Sequence, residues 1–153
     1  MCIRDRAKAA DPEKGYATDF VSAIVAPHLQ AIAESGVKLI SNAVGVNPEA
    51  CGRAIRQLIE DAGLSLKVAV ITGDDLMSKL DQVLASQPAE MFTGEPTPPR
   101  EAIASANAYL GAFPIAEALN QGADIVVTGR CVDSAVTLGA CICLLYTSDA
   151  ADE

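Results

Sequence analysis

The sequence predicts an α/β fold in which helices cover both faces of a parallel sheet, a three-layer, Rossmann-like arrangement. Three short, continuous apolar segments, at about residues 37–43, 66–72 and 123–128, are typical of strands buried on both faces. Segments with helical spacing of apolar residues separate them, and this alternation indicates right-handed parallel crossovers. Aromatic residues make up only 4% of the chain, so the core is expected to be aliphatic. A barrel would also fit the alternation.

The two ends of the sequence are predicted to be non-native. Residues 1–6 read MCIRDR and residues 143–147 read CLLYT, and codons for the first peptide can be the reverse complement of codons for the second. Two coding ends of one gene have no reason to be reverse complements, whereas a translated sequencing adapter has this property. We therefore expect residues 1–6 and 143–153 to be adapter, and residues 7–142 to be a domain fragment truncated at both ends.

The first predicted helix has a start signal, an interruption and a stop signal. Thr18 or Asp19 is in position to cap it, and Gly36 follows its last apolar residues. Pro27 lies inside the helical pattern, so a kink or break is expected there.

The second predicted helix begins at a characteristic pair of residues. Asn47 followed by Pro48 matches an N-cap with proline in the first turn, and the helix should continue to about residue 62, where Gly63 ends it.

The remaining helices are predicted less sharply. One should follow Asp75 and end near residue 85, and another should lead on from Ser105, a candidate N-cap, and end near residue 121. Residues 86–101 are rich in proline and are expected to form an extended loop or lid. A last helix should begin at Ser134.

Each predicted strand is followed by a glycine-containing turn with small polar residues. In a parallel sheet these turns share the carboxyl edge, where ligands of open α/β sheets bind and where helix N-termini offer backbone amides to anions. This edge is therefore the expected functional face. The three turns are residues 41–47, 72–75 and 128–134.

Arg130 is the most specific candidate in these turns. It is a lone cation in a glycine-containing turn of an acidic protein, and a guanidinium can bind a phosphate or carboxylate with two hydrogen bonds. An ion pair with Asp133 or Asp74 is the alternative interpretation.

Acidic and thiol residues in the turns have both chemical and structural interpretations. Asp74 and Asp133 are candidates for acid/base catalysis, although plain helix capping would also explain them, as it would Asn47. Cys131 could be a nucleophile at a helix N-terminus, but a small buried thiol fits as well because no partner histidine is evident.

His28 is the only histidine, so neither a Ser-His-Asp triad nor a His-rich metal site can be built. Asp74 and Asp75 could bind a divalent metal, but a cap plus a solvated charge is the favoured interpretation, so no metal ligand is predicted.

Composition excludes several classes of function. The net charge of −9 argues against nucleic-acid binding, which requires a basic surface. No apolar run is long enough to span a membrane, and scattered cysteines favour a reducing, cytoplasmic compartment. The signatures of a standard dinucleotide site, a P-loop and a nucleophile elbow are missing from the sequence, and the cofactor is left unknown.

Five segments resemble the acyclic terpene utilisation family AtuA, in its N-terminal domain, and together they cover almost all of residues 7–142. At Val44 the family more often has glycine, so this turn is expected to be stiffer. The segments are GYATDFV (15–21), NAVGVNPEAC (42–51), GDDL (73–76), SANAYLGAFPIAEAL (105–119) and GADIVVTGRCVDSAVTLG (122–139).

The resemblance implies a bacterial cytoplasmic protein linked to the breakdown of acyclic terpenes such as citronellol and geraniol through CoA thioesters. The expected partner is a small anionic ligand, for which an acyl-CoA or a carboxylate is the candidate, and a homo-oligomer stays open. An enzyme is the leading hypothesis, and a non-catalytic binding or assembly module of the same pathway is the alternative. The resemblance transfers no established catalytic residue. From the residues themselves, Asp74 and Asp133 are the catalytic candidates, and the ligand-binding candidates, all at positions that match the family, are Asn42, Asn47, Asp75, Ser105, Asn107, Arg130 and Ser134.

Overall fold

The computed structural model describes residues 10–145, which contain three strands and five α-helices. One π-helix and two short 3-10 helices, at Met77–Lys79 and Arg100–Ala102, are also present. Most of the segments predicted to be adapter lie outside the described residues. The elements are the π-helix (Phe20–Val25), α1 (Ala26–Ser35), β1 (Leu39–Ser41), α2 (Pro48–Asp61), β2 (Val68–Ile71), α3 (Leu80–Ala85), α4 (Phe113–Asn120), β3 (Ile125–Thr128) and α5 (Ala135–Leu145).

The three strands form an open parallel sheet in the order β1-β3-β2. β3 comes last in the sequence but lies in the middle, with Ile125 level with Leu39 of β1 and with Val68 of β2. All four β3 residues are fully buried, whereas β1 and β2 are half-buried along their whole length. The predicted α/β class and the parallel sheet are confirmed, and the described residues do not close into a barrel.

Helices cover both faces of the sheet because the chain reverses direction across it. The β1-to-β2 crossover passes over the position of β3, and the β2-to-β3 crossover returns, so two crossovers of one hand must use opposite faces. In the first crossover α2 packs with Ile125 and Val127 of β3, together with the π-helix and α1. In the second crossover α4 packs with Val126 and with α5 on the other face. The result is the predicted three-layer arrangement with two aliphatic cores.

The first helix is interrupted where its proline predicts. The chain is a π-helix through Val25 and becomes an α-helix at Ala26, so Pro27, which lacks an N–H, falls in the first turn of α1. Gly36 ends α1 in the left-handed conformation, as predicted. Asp19 does not cap the helix, because its backbone is already helical and its side chain makes no capping hydrogen bond.

The region between β2 and α4 is less helical than predicted. A 3-10 turn precedes α3, and α4 begins at Phe113, so the prediction that Ser105 caps a helix is wrong. The proline-rich segment is a loop, as predicted, but an ordered one. Ala89 pairs with Pro96, and the Glu90 carboxylate accepts a hydrogen bond from the Phe92 N–H at 2.8 Å. Met91 and Phe92 at the tip of this loop are 83% and 85% exposed.

Asp124 joins the amino ends of all three strands. Its carboxylate contacts Lys38 Nζ at 2.8 Å, before β1, and accepts a hydrogen bond from the Lys67 N–H at 2.8 Å, before β2. Its backbone carbonyl accepts a hydrogen bond from the Leu39 N–H, and its N–H donates to the Lys67 carbonyl, both at 2.9 Å. Burial alone would raise the pKa of Asp124, but the hydrogen bonds from Lys38 and Lys67 outweigh it, so this pKa is lowered.

We expect Asp124→Asn to reduce the free energy of unfolding at pH 7 by about 1 kcal/mol, since a charge-assisted hydrogen bond is lost and Lys38 is partly exposed. The folded-state pKa lies below the unfolded value of about 3.9, so the stabilisation is present above that pH and disappears as the pH falls through the folded-state pKa. Urea unfolding at neutral and acidic pH measures this. The control is Asp81→Asn, which removes an exposed ion pair with Arg100, and equal losses at both pH values would contradict the prediction.

We expect Gly139→Ala to destabilise the packing of α5 on α4. A Cβ at this position would lie 2.6 Å from Cβ and Cγ2 of Ile115 and 3.0 Å from the Ala112 carbonyl oxygen. Overpacking of this kind costs about 1–3 kcal/mol, more than the gain of about 1 kcal/mol in helix propensity. Thermal unfolding measures the effect against Gly111→Ala, where no atom lies within 4 Å of the new Cβ. A stabilised Gly139→Ala would show that the two helices are not in tight contact.

Candidate functional site

A crevice opens at the carboxyl edge of the sheet between β1 and β3. These strands are neighbours, but the helix after β1 packs on one face of the sheet and the helix after β3 packs on the other. The two connections therefore diverge, and such a switch point is where open α/β sheets bind ligands. A cavity of about 190 Å³ occupies this position, and its lining residues are Asn42, Gly45, Val46, Tyr109, Arg130, Cys131 and Asp133.

The wall that follows β1 is fixed by the turn at residues 42–46. The Ala43 N–H donates to Ser41 Oγ at 3.1 Å, and Gly45 adopts a positive φ of 61°, which glycine tolerates without strain. Val44 is fully buried in the core, so its side chain anchors the turn whose residues Asn42, Gly45 and Val46 line the cavity.

The opposite wall is built by the turn after β3 together with the segment that precedes α4. Leu110 pairs with Cys131, with the Leu110 N–H donating to the Arg130 carbonyl at 2.9 Å and the Val132 N–H donating to the Leu110 carbonyl at 3.0 Å. This pairing brings Tyr109 beside Arg130, although the two residues lie far apart in the sequence.

The cavity carries one positive and one negative side chain. Arg130 is exposed and forms no ion pair with any acidic residue in the described part of the chain, so the predicted alternative, a salt bridge to Asp133 or Asp74, is not formed. Asp133 is exposed on the same cavity. The guanidinium therefore keeps its donors available for an external acceptor.

The Cys131 thiol is protonated at neutral pH. Burial raises its pKa, and the charges of Asp133 and Asp74 raise it further, against a hydrogen bond with Asn42 that lowers it. A thiol with a raised pKa is a weak nucleophile, which favours the buried-cysteine interpretation over the nucleophilic one. Within residues 10–145 no group of three or more His, Cys, Asp or Glu side chains could hold a metal ion. None of the helices described there has the length and apolar character needed to cross a lipid bilayer.

Comparison with known proteins identifies the family. The sequence model described as acyclic terpene utilisation family protein AtuA matches residues 1–145. The chain belongs to this AtuA family. No curated protein and no solved structure matches it.

In this AtuA-family domain, three of the sequence-predicted site residues line the cavity together. They are Asn42, Arg130 and Asp133, one from the turn after β1 and two from the turn after β3. Asp74 and Asn107 lie beside them but outside the lining. Asp74 is only 5% exposed, and its carboxylate accepts a hydrogen bond from Asn107 Nδ2 at 3.1 Å.

Asn47 is used by the fold. It is buried, its Oδ1 accepts a hydrogen bond from the Ala50 N–H at 3.3 Å, and its Nδ2 donates to the carbonyls of Pro12 and Lys14 at 2.7 and 2.6 Å. The predicted N-cap of α2 is confirmed, and the same side chain ties residues 12–14 to the helix.

The other three predicted residues lie apart from the cavity. Asp75 Oδ1 accepts a hydrogen bond from the Met77 N–H at 2.9 Å at the start of a 3-10 turn, and Ser105 is exposed in an irregular segment. Ser134 directly precedes α5, and its carbonyl accepts a hydrogen bond from the Leu138 N–H.

Tyr109 and Val46 also line the cavity. From the sequence, Tyr109 could reach a ligand, as could Asn107, but helix packing explains both residues equally well. Tyr109 is 62% exposed, and its position follows from the pairing of Leu110 with Cys131, which carries no local sequence signal. Val46 follows Gly45 in the turn, and it is not a site candidate in the sequence because the polar residues of that turn were chosen instead.

We expect Asn47→Ala to destabilise the AtuA domain by about 2–4 kcal/mol, because a helix cap and two hydrogen bonds to carbonyls are lost together. Chemical denaturation measures the loss. The control is Asn42→Ala, an exposed cavity residue, which should change stability by less than about 0.5 kcal/mol. If both variants were equally stable, Asn47 would have no structural role.

Proposed function

We propose that this protein binds the carboxylate or thioester end of an acyclic terpenoid breakdown intermediate in the crevice between β1 and β3, and acts on it there. The observation that carries the proposal is Arg130, which lines the cavity and has no acidic partner within the described residues. On a chain with a net charge of −9, a cation without a salt bridge at a ligand-binding edge is best explained by an anionic or strongly polar ligand.

The size of the cavity favours a small polar group as its occupant. A volume of about 190 Å³ equals roughly six water molecules at about 30 Å³ each. That space suits a carboxylate or a thioester carbonyl with a few carbons, and it is below the roughly 300–1,000 Å³ of sites that enclose a whole drug-sized ligand. A longer acyl chain, or the CoA portion of a thioester, would therefore extend out of the crevice.

The lining residues fit a branched aliphatic acid. Val46 and the ring of Tyr109 offer apolar surface beside the polar groups. Arg130 would hold the carboxylate with two hydrogen bonds, and Asn42 could donate a further one. The ligand would thus place its charged end at Arg130 and its first carbons against Val46 and Tyr109.

Asp133 is the proposed acid/base group. Its carboxylate is exposed on the cavity that Arg130 also lines, so it could exchange a proton with a carbon or oxygen close to the bound carboxylate. The negative charge of Asp133 and the protonated thiol of Cys131 both disfavour covalent catalysis through the cysteine. Proton transfer is therefore the proposed chemistry.

A binding or assembly module is the second candidate, and one observation favours it. Met91 and Phe92 are adjacent, almost fully exposed and held at the tip of an ordered loop. Large apolar side chains presented in this way are typical of protein–protein contacts. In that case subunit assembly would depend on the loop and not on Arg130, which distinguishes the two candidates experimentally.

We expect Arg130→Gln to weaken binding of short branched-chain carboxylates and their CoA esters about tenfold or more, because a hydrogen-bonded charge pair worth about 1.5–3 kcal/mol is lost. Ligand-induced thermal stabilisation of the full chain, followed by calorimetric titration, measures the affinity.

The matched control is Lys79→Gln, which removes one exposed positive charge away from the cavity and should leave the affinity unchanged. Equal losses in both variants would indicate a general charge effect. No stabilisation by any carboxylate or CoA ester, together with an oligomer that Phe92→Ser dissociates, would replace the proposal by the assembly module.

A further inference from the structure

The segment at residues 106–110 links the turns that come after β2 and β3. On one side the Ala108 N–H donates to the Asp74 carbonyl at 2.8 Å, and the Leu76 N–H donates to the Ala106 carbonyl at 2.9 Å. On its other side Leu110 pairs with Cys131 through backbone hydrogen bonds. The segment therefore extends the carboxyl edge of the sheet without being a regular strand, and it carries Tyr109 into the cavity.

The Asp74 side chain contacts both the segment at residues 106–110 and the turn after β3. Its Oδ2 accepts a hydrogen bond from Asn107 Nδ2 at 3.1 Å, and the same amide lies 3.4 Å from the Asp74 carbonyl oxygen. The carboxylate also lies directly over Gly129, where a Cβ would overlap Oδ1 and would lie 2.7 Å from Cγ. Asn107 is two residues before Tyr109 and Gly129 is one residue before Arg130, so one carboxylate touches both segments that build this wall of the cavity.

We propose that Asp74 is a positioning residue, which fixes Tyr109 and Arg130 in the wall that they share and so the shape of the cavity, and that Gly129 must be glycine to admit its carboxylate. The expected effect of Asp74 on ligand affinity rests on the proposed function, whereas its expected effect on the position of Tyr109 does not. Asp74 is 5% exposed and does not line the cavity, so it cannot meet a ligand there. It acts through Asn107 and Gly129.

The energetic argument is the cost of releasing a buried carboxylate from its partner. An ionised group that loses its hydrogen bond in a buried position is penalised by several times the value of the bond itself. The pair between Asp74 and Asn107 therefore resists small displacements of residues 106–110. If the Tyr109 ring were mobile, each binding event would lose conformational entropy as the ring became ordered. A ring that is already fixed in place avoids this entropic cost.

The geometric part can be tested without any ligand. The chain contains no tryptophan, so Tyr109→Trp introduces a single fluorescent reporter on the wall in question. In this background we expect Asn107→Ala and Gly129→Ala to shift the emission to longer wavelength and to lower its anisotropy. The first removes the hydrogen bond, and the second displaces the carboxylate while keeping its charge. Asp75→Ala, at the neighbouring exposed aspartate, is the control and should leave the emission unchanged.

The functional part is tested with native Tyr109 and short branched-chain carboxylates as the probe. We expect Gly129→Ala and Asp74→Ala to weaken binding about tenfold. Asp74→Asn should retain most of the affinity and of any turnover, because its amide oxygen can still accept from Asn107. Loss of turnover in Asp74→Asn with unchanged affinity would instead make Asp74 a proton-transfer residue and overturn the inference.

The outcomes separate this inference from the proposed function. Unchanged emission and affinity in Gly129→Ala and Asn107→Ala, while Arg130→Gln still abolishes binding, would overturn the positioning role alone. A shifted emission in a protein that binds no carboxylate would support the positioning geometry and reject the proposed function. If Asp74→Ala does not fold, the Asn107→Ala and Gly129→Ala pair still decides the question.

Discussion

The structure depends on the burial of β3 between two strands that precede it in the sequence. Its four residues are fully enclosed, so every backbone group there must bond to β1 or β2 and every side chain must fill one of the two cores. Placing the last strand in the middle forces the chain to cross the sheet once in each direction. The two faces then receive different helices, and the divergence of those helices opens the crevice where the candidate site lies.

Two aspartates make structural contacts at opposite edges of this sheet, and the contacts differ. Asp124, at the amino edge, contacts residues before both outer strands and has a lowered pKa because cationic and backbone donors surround it. Asp74, at the carboxyl edge, is buried with an amide partner and a glycine beneath it. The first fixes how the strands begin. The second contacts the turns at their carboxyl ends, through Asn107 and Gly129.

Local signals in the sequence predicted the fold well and the site in part. Some signals act only on neighbouring residues in the sequence, and what they predict is observed. They are the N-cap of α2 at Asn47 and Pro48, the end of α1 at Gly36 and the interruption of the first helix at Pro27. The three strands and the crossovers were predicted from hydrophobic patterns. The role of Ser105 was predicted wrongly because residues 106–110 gain more from bonding to the turns after β2 and β3 than from starting a helix. The sequence could not decide between ligand contact and helix packing for Tyr109 for the same reason, since its position is set by non-local pairing that no short motif records.

The raised pKa of Cys131 also bears on how readily this sulfur is oxidised. Oxidation of cysteine by peroxide starts from the thiolate, and both burial and the neighbouring carboxylates keep this sulfur in its thiol form. The conversion to sulfenic and then sulfinic acid is therefore expected to be slower at this sulfur than at an exposed thiolate, which would keep a bulky, charged group out of the cavity lining.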